Sequence, residues 1–166
     1  MMFKNNKNKI IDKVQYLQNI SRQTVLISLT IILSSFAHVK SEKTNSLTVK
    51  VHGTRNSNGV VQFALYNKDG SIPDKHYEKY YKMLTAKIER GTSSVTFKNL
   101  PHGIYVVNIL HDENENGEID NGFILPIEGL GFSNYQSIGP MNRPKYSKAS
   151  FELKSDLTIE IKVIYM

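Results

Sequence analysis

The chain has 166 residues, which is enough for one domain and short for two. Its formal net charge is +6, yet the first 37 residues hold five of the 21 basic residues and one of the 15 acidic ones. The remainder has 16 basic and 14 acidic residues, a net charge of +2, which argues against nucleic-acid binding. Because the sequence has no cysteine, it excludes disulfides, thiolate metal sites, a cysteine nucleophile and a lipidated cysteine anchor.

The first 37 residues have the form of a secretory signal peptide. Five basic residues and one acid precede the apolar run VLISLTIILSSF, residues 25–36. Ser35 and Ala37 are the small residues of a cleavage site, so we expect the mature protein to begin near His38. An uncleaved membrane anchor is the alternative, although this run is shorter than the ~20 residues that a spanning helix needs. We therefore predict a periplasmic or secreted domain, residues 38–166, with no stable membrane span after cleavage.

Alternation of apolar and polar side chains predicts β-strands in most of the mature chain. In the segment LTVKVHG, Val49 is expected to face the core and Lys50 to face water. The next segment, VVQFALY at residues 60–66, follows Asn58-Gly59, a pair that favours a tight hairpin turn. We therefore expect these two strands to pair.

The middle of the chain is less regular. Gly70 and Pro73 interrupt the alternation, and the cluster of Tyr77, Tyr80 and Tyr81 suits either a short helix or an irregular crossover. Aromatic side chains in such a cluster usually pack in or beside a core.

Further strands are predicted downstream, and the most apolar of them is expected to be central. The segments are TAKIE (85–89), SVTFKNL (94–100), the apolar IYVVNIL (104–110), ASFEL (149–153) and LTIEIKVIY (157–165). Residues 111–148 are rich in Gly, Asn and Pro and are predicted to form a long loop region. About seven short strands predict an all-β fold, a single antiparallel β-sandwich that is immunoglobulin-like or transthyretin-like.

The segment HDENENGEID, residues 111–120, contains the first half of a calcium-loop pattern, D-x-[DN]-x-[DN]-G. In such a loop Asp112, Asn114 and Asn116 would supply side-chain oxygens. Glu118 would supply its carbonyl, and Asp120 would supply a carboxylate directly or through water. The sequence therefore predicts these five residues as ligands of Ca²⁺.

The rest of an EF-hand is missing, because the twelfth position is Phe123 instead of Glu and no helix pattern flanks the loop. Glu128 is the nearest candidate for an additional carboxylate. With so few carboxylates, the dissociation constant for Ca²⁺ should be weak, on the order of 10⁻⁴ to 10⁻³ M, and Mg²⁺ is less favoured. The alternative is a polar turn that is closed by side-chain-to-backbone hydrogen bonds. If calcium binds, Asp112→Ala should abolish its effect and leave the metal-free melting temperature nearly unchanged.

No catalytic constellation is recognisable. His111 and Asp112 are adjacent, but Ser133 lies in no nucleophile turn, and the five histidines lack the spacing of a zinc site. We therefore predict a protein that is not an enzyme.

Three motifs of this chain resemble those of a family of small exported bacterial proteins, which is catalogued as domain of unknown function 2141. They are the Leu100-Pro101-x-Gly103-x-Tyr105 turn, the stretch from His111 to Asp120, and Gly131-Phe132-Ser133-Asn134. The similarity extends over roughly residues 47–163, and the family usually has a small residue where this chain has Glu115. The resemblance implies export and a β-sandwich fold but no established activity.

The function that we predict is a non-catalytic exported module that binds an unidentified protein or glycan partner in the cell envelope, with a calcium-fixed loop. Two alternatives remain open. One is a structural or adhesion module of the envelope without metal, and the other is a carbohydrate-binding accessory domain of a hydrolase.

Overall fold

A computed structural model of the chain describes residues 13, 15–22, 43–120, 122 and 126–166. The chain divides into two compact units, Met1–Ser41 and Glu42–Met166. Residues 13 and 15–22 of the first unit are helical, whereas the apolar run and the predicted cleavage point lie outside the described residues. None of the helices in the described ranges has both the length and the apolar character to cross a membrane.

The second unit is a β-sandwich. Its strands are β1 (Thr44–His52), β2 (Val60–Tyr66), β3 (Lys82–Lys87), β4 (Thr92–Pro101), β5 (Gly103–Asp112), β6 (Gly129–Phe132), β7 (Phe151–Leu153) and β8 (Leu157–Lys162). One sheet has the order β4-β1-β8, and the other has the order β3-β2-β5-β6 with β7 also paired to β5. This confirms the predicted all-β sandwich. One pair, β1 with β8, is parallel, and the five other pairs of named strands are antiparallel.

The main core lies between the two sheets. On β1, Val49 is fully buried and Lys50 is exposed, so the predicted alternation is confirmed. The inward side chains of the other strands complete this core, among them Phe63, Leu65, Phe97, Val107, Ile109 and Ile161.

The five-stranded sheet is also covered on its outer face. β5 is central, as predicted, and its residues Val106 and Leu110 point away from the main core into a second apolar cluster. Strands β2 and β6 add Ala64, Tyr66, Leu130 and Phe132 to this cluster, and the connections around the sheet add Ile72, Tyr77, Tyr135 and Ala149. A mostly apolar strand such as β5 needs cover on both faces, because alternate side chains point to opposite faces of the sheet.

The prediction that the first two strands pair with each other is wrong. β1 pairs with β4 and β8, while β2 pairs with β3 and β5, so residues 53–59 carry the chain from one sheet to the other. Gly59 has φ +64°, and a Cβ at this position would lie 1.9 Å from the carbonyl oxygen of Asp112. The chain at position 59 can therefore approach the end of β5 this closely only with glycine. In the sequence, the pair Asn58-Gly59 looks the same as a pair that forms a hairpin turn.

One of the two irregular regions is the irregular crossover that the sequence left open as an alternative to a short helix, and the other differs from expectation. The connection between β2 and β3 contains turns and bends but no helix, and it buries Tyr77 while Tyr80 and Tyr81 stay 43% and 40% exposed. The region predicted as one long loop contains β6 and a one-turn helix, Tyr146–Ala149. The sequence did not predict β6, because two of its four residues are glycine, a residue type that is depleted in strands.

Candidate functional site

The predicted calcium loop begins at the end of the central strand. Asp112 is the last residue of β5, where it pairs with Val60 of β2, and the chain then turns through residues 113–120. The strand therefore holds the first of the predicted ligands in a fixed position.

The Asp112 carboxylate points into the loop and closes it from inside. Its side chain is buried, with 2% of the residue exposed. Oδ1 accepts the backbone N–H of Asn116 at 3.1 Å, and Oδ2 accepts the backbone N–H of Gly117 at 2.8 Å. These two bonds create the tight turn that the sequence pattern predicts.

Three other predicted ligands face one another across the turn. The Nδ2 groups of Asn114 and Asn116 donate to the two carboxylate oxygens of Asp120, at 2.7 and 3.0 Å. The side-chain oxygen of Asn114 accepts from Asn116 N at 3.0 Å, and that of Asn116 accepts from Glu118 N at 2.8 Å. The structure thus brings Asp112, Asn114, Asn116 and Asp120 together, whereas Glu118 contributes a backbone N–H to the turn.

Glu128 joins the two ends of the loop. It is 3% exposed, and its Oε1 and Oε2 accept the backbone N–H groups of Glu113 and Asp120, both at 3.0 Å. Burial raises the pKa of Glu128, the two backbone hydrogen bonds oppose this effect, and the nearby Asp120 and Asp112 carboxylates add to it. Three carboxylates therefore share one small region.

These carboxylates lack a cationic side chain as a partner within the described part of the chain. The ion pairs found there involve Glu113 and Glu152, and none includes Asp112, Asp120 or Glu128. In the same residues, no three His, Cys, Asp or Glu side chains are grouped so that they could hold a metal ion. The loop is closed by its own hydrogen bonds, and an ion would need the amide oxygens of both asparagines in addition to the carboxylates.

Glu113 ties the loop to the connection between the sheets. Its carboxylate contacts Nη2 of Arg55 at 2.6 Å and accepts from Nδ2 of Asn56 at 3.0 Å. Burial alone would raise the pKa of Glu113, but the hydrogen bonds from Asn56 and Arg55 and the Arg55 charge lower it overall. No local sequence pattern predicts this contact, because Glu113 and Arg55 are distant in the chain.

The residues considered for catalysis have separate structural partners. His111 is fully buried between the Tyr165 hydroxyl, 2.6 Å from Nδ1, and the Asn58 carbonyl, 3.0 Å from Nε2. Ser133 is also buried, and its Oγ donates to the Ala149 carbonyl at 2.6 Å. The two side chains are not hydrogen-bonded to each other.

Sequence reasoning missed one polar group in the second apolar cluster. Asn108 is 1% exposed in the middle of the apolar segment IYVVNIL. The sequence did contain an indication of this group, because an asparagine at the centre of a strand predicted to be buried requires hydrogen-bond partners.

The fold and this site define a β-sandwich domain with an oxygen-rich loop at the end of its central strand. Residues 49–160, which include the loop, match the family described as uncharacterized protein conserved in bacteria (DUF2141), and the chain belongs to this family. The resemblance noted from the motifs is therefore confirmed. Glu115, where the motif resemblance implies a small residue, has φ 61°, a conformation that favours glycine. No curated protein and no solved structure matched the chain.

Proposed function

We propose that this protein is an exported, non-catalytic binding module in which a weakly bound calcium ion fixes the loop of residues 112–120. The fixed loop shapes one end of the sandwich for a protein or glycan partner in the cell envelope. Membership of an uncharacterised bacterial family is compatible with this function and supplies no activity of its own.

The electrostatic repulsion of Glu128 by Asp120 and Asp112, which lie near it without forming a preformed set of three metal ligands among the described residues, is the observation that carries the proposal. Two of these carboxylates are almost fully buried, and the raised pKa of Glu128 reflects that burial and then the repulsion from the other two. Like charges in a poorly solvated region destabilise one another, and a divalent cation relieves that repulsion.

The chemistry of the available donors supports calcium over other metals. Carboxylate and amide oxygens are hard ligands that suit Ca²⁺, which accepts six to eight oxygens in flexible geometry. Asp112, Asn114, Asn116, Asp120 and Glu128 would hold the ion, with the Glu118 carbonyl as a further ligand. The ion would stabilise a turn that is otherwise held by hydrogen bonds among its own side chains.

Thermal unfolding of the purified full chain tests the proposal. In excess EDTA and then at a calcium concentration about ten times the dissociation constant, linkage predicts a gain of about 1.4 kcal/mol. For a domain of this size the melting temperature should rise by a few degrees. Magnesium at equal concentration controls for ionic screening and should raise it less.

A pair of variants in the same loop makes this experiment specific. Asp120→Asn keeps the shape of a side chain that is bonded to two exposed asparagines, so it should fold and lose the calcium-dependent rise. Glu115→Gln removes the same charge from an exposed side chain and should keep the rise. Equal effects of calcium and magnesium, or an undiminished rise in Asp120→Asn, would contradict the proposal.

A structural or adhesion module without metal is the second candidate. It is favoured by the complete set of internal hydrogen bonds in the loop and by the lack of a preformed group of three metal-ligating side chains among the described residues. On this reading calcium changes nothing that magnesium does not change, so the same melting experiment separates the two candidates. A glycan array then tests whether the partner is a carbohydrate.

A further inference from the structure

A cavity of about 270 Å³ lies beside the second apolar cluster, between the five-stranded sheet and the connections that cover it. Its walls are mostly apolar and include Pro73, Ile119, Leu130, Phe132 and Ile138. Concave, apolar sites with a few polar groups are typical of small-molecule binding.

Asn108 is the polar group that distinguishes this cavity from a packing defect. It lines the cavity at 1% exposure, in the outward-facing row of β5 between Val106 and Leu110. Its Nδ2 donates to the Tyr77 hydroxyl at 3.4 Å, whereas its Oδ1 has no hydrogen-bond partner among the residues that the structure describes. Buried polar atoms are nearly always partnered, so an unpaired acceptor in a cavity wall indicates a missing donor.

The neighbours of Asn108 hold its amide in place. Tyr66 and Tyr77 are both buried, and the Tyr66 hydroxyl donates to Asp74 Oδ2 at 3.2 Å. Asp74, which also lines the cavity, accepts the backbone N–H of Lys79 at 2.8 Å. Burial raises the pKa of both tyrosines, so their hydroxyls remain protonated and neutral at physiological pH.

We propose that this cavity binds a small molecule with an apolar body the size of one ring and a hydroxyl or amine that donates to Asn108 Oδ1. The size is suitable, because an apolar cavity of about 150 Å³ already holds benzene and this one has room for a ring with a short polar arm. The apolar walls bind the ring, and the unpaired oxygen of Asn108, which lies among other polar lining residues such as Asp74 and His76, favours ligands that carry a donor.

The cavity lies next to the acidic loop but does not depend on it for its polar anchor. Glu118 and Ile119 of the loop contribute to the wall. The proposal goes beyond the calcium function and holds whether or not the loop binds an ion. The experiment is therefore done both in EDTA and in calcium, so that a failure of calcium binding is not mistaken for a failure of the cavity.

The test is a titration of the purified full chain, followed by the NMR signals of the Asn108 side-chain amide and the Phe132 backbone amide. Benzyl alcohol and benzylamine are the donor-bearing probes, and toluene has the same ring without a donor. At least one donor-bearing probe should shift both signals and bind at least tenfold more tightly than toluene. The comparison of alcohol with amine decides whether the preferred donor is neutral or charged.

Three variants complete the test. Asn108→Leu removes the acceptor and should abolish the preference over toluene, while Ile138→Trp fills the cavity and should abolish binding of all probes. Ile127→Trp, at a residue that is 55% exposed and outside the cavity lining, should bind as the wild type does. Absence of binding in both EDTA and calcium, equal binding of toluene, or undiminished binding by a folded Ile138→Trp would overturn the proposal.

Discussion

Asp112 has a structural role that is independent of any ion. The sequence suggested that Asp112→Ala would leave the metal-free melting temperature nearly unchanged, but this buried carboxylate accepts two backbone N–H groups. We therefore expect Asp112→Ala to destabilise the metal-free protein by about 1–3 kcal/mol, because the Gly117 N–H loses its acceptor and the Asn116 N–H keeps only the Asn114 oxygen. Urea denaturation in EDTA measures the loss.

Asn114→Ala is the control for this prediction. Its side chain is exposed and bonds mainly within the turn. Asn114→Ala should therefore lower the free energy of unfolding by less than Asp112→Ala does. If the two variants unfold at the same urea concentration, Asp112 does not hold the loop closed.

Glu113 makes the stability of the protein depend on pH. Its folded-state pKa is lower than its ordinary value, so its carboxylate stabilises the fold above the unfolded pKa, and this contribution disappears as pH falls through the folded pKa. Glu113→Gln should therefore be less stable than the wild type near pH 7, by about 1 kcal/mol or less for a pair with an exposed arginine. The difference should shrink and then disappear as pH falls through the lowered folded-state pKa, as measured by melting temperatures at successively lower pH. A constant difference at all pH values would show that the charge is not responsible.

At the scale of elements, β6 depends on the absence of side chains at its glycines. A Cβ at Gly131 would lie 2.8 Å from both Ile161 Cγ2 and the Lys162 carbonyl oxygen, so β6 approaches β8 too closely for alanine. Gly131→Ala should lower stability by about 1–3 kcal/mol through overpacking. Gly139→Ala is the matched control, because no atom lies within 4 Å of its Cβ position. Equal melting temperatures for the two variants would contradict the close approach of these strands.

The pairing of strands shows where local sequence signals stop being informative. The alternation in β1 correctly assigned Val49 to the core and Lys50 to water, because the pleat of a strand alone determines which residues share a face. Asn58-Gly59 marks a bend of the chain but does not close the hairpin that it predicted. The partner of β1 was wrong, because a strand with one apolar face packs equally well in either sheet of a sandwich.

At the scale of the whole molecule, export is the prediction that most needs a direct measurement. The basic start, the short apolar run and the small residues before the cleavage point predict a mature chain that begins near His38. Mass spectrometry of the protein recovered from the envelope or medium of its host should give the mass of a chain that begins near His38. A recovered chain that still begins at Met1 would contradict the prediction of a cleaved signal peptide.

The sequence by itself determined the all-β class, the inward and outward faces of β1, the central position of β5 and the tight turn at residues 112–117. Each of these follows from periodicity or from side chains that bond within a few positions, and both are local properties of the chain. Tertiary structure alone decided which strands pair, that Gly129–Phe132 is a strand, and that Glu128 and Arg55 reach the loop. It also turned Asn108 toward a cavity formed with distant connections. These contacts join residues far apart in the chain, so local periodicity and short-range hydrogen bonding do not specify them.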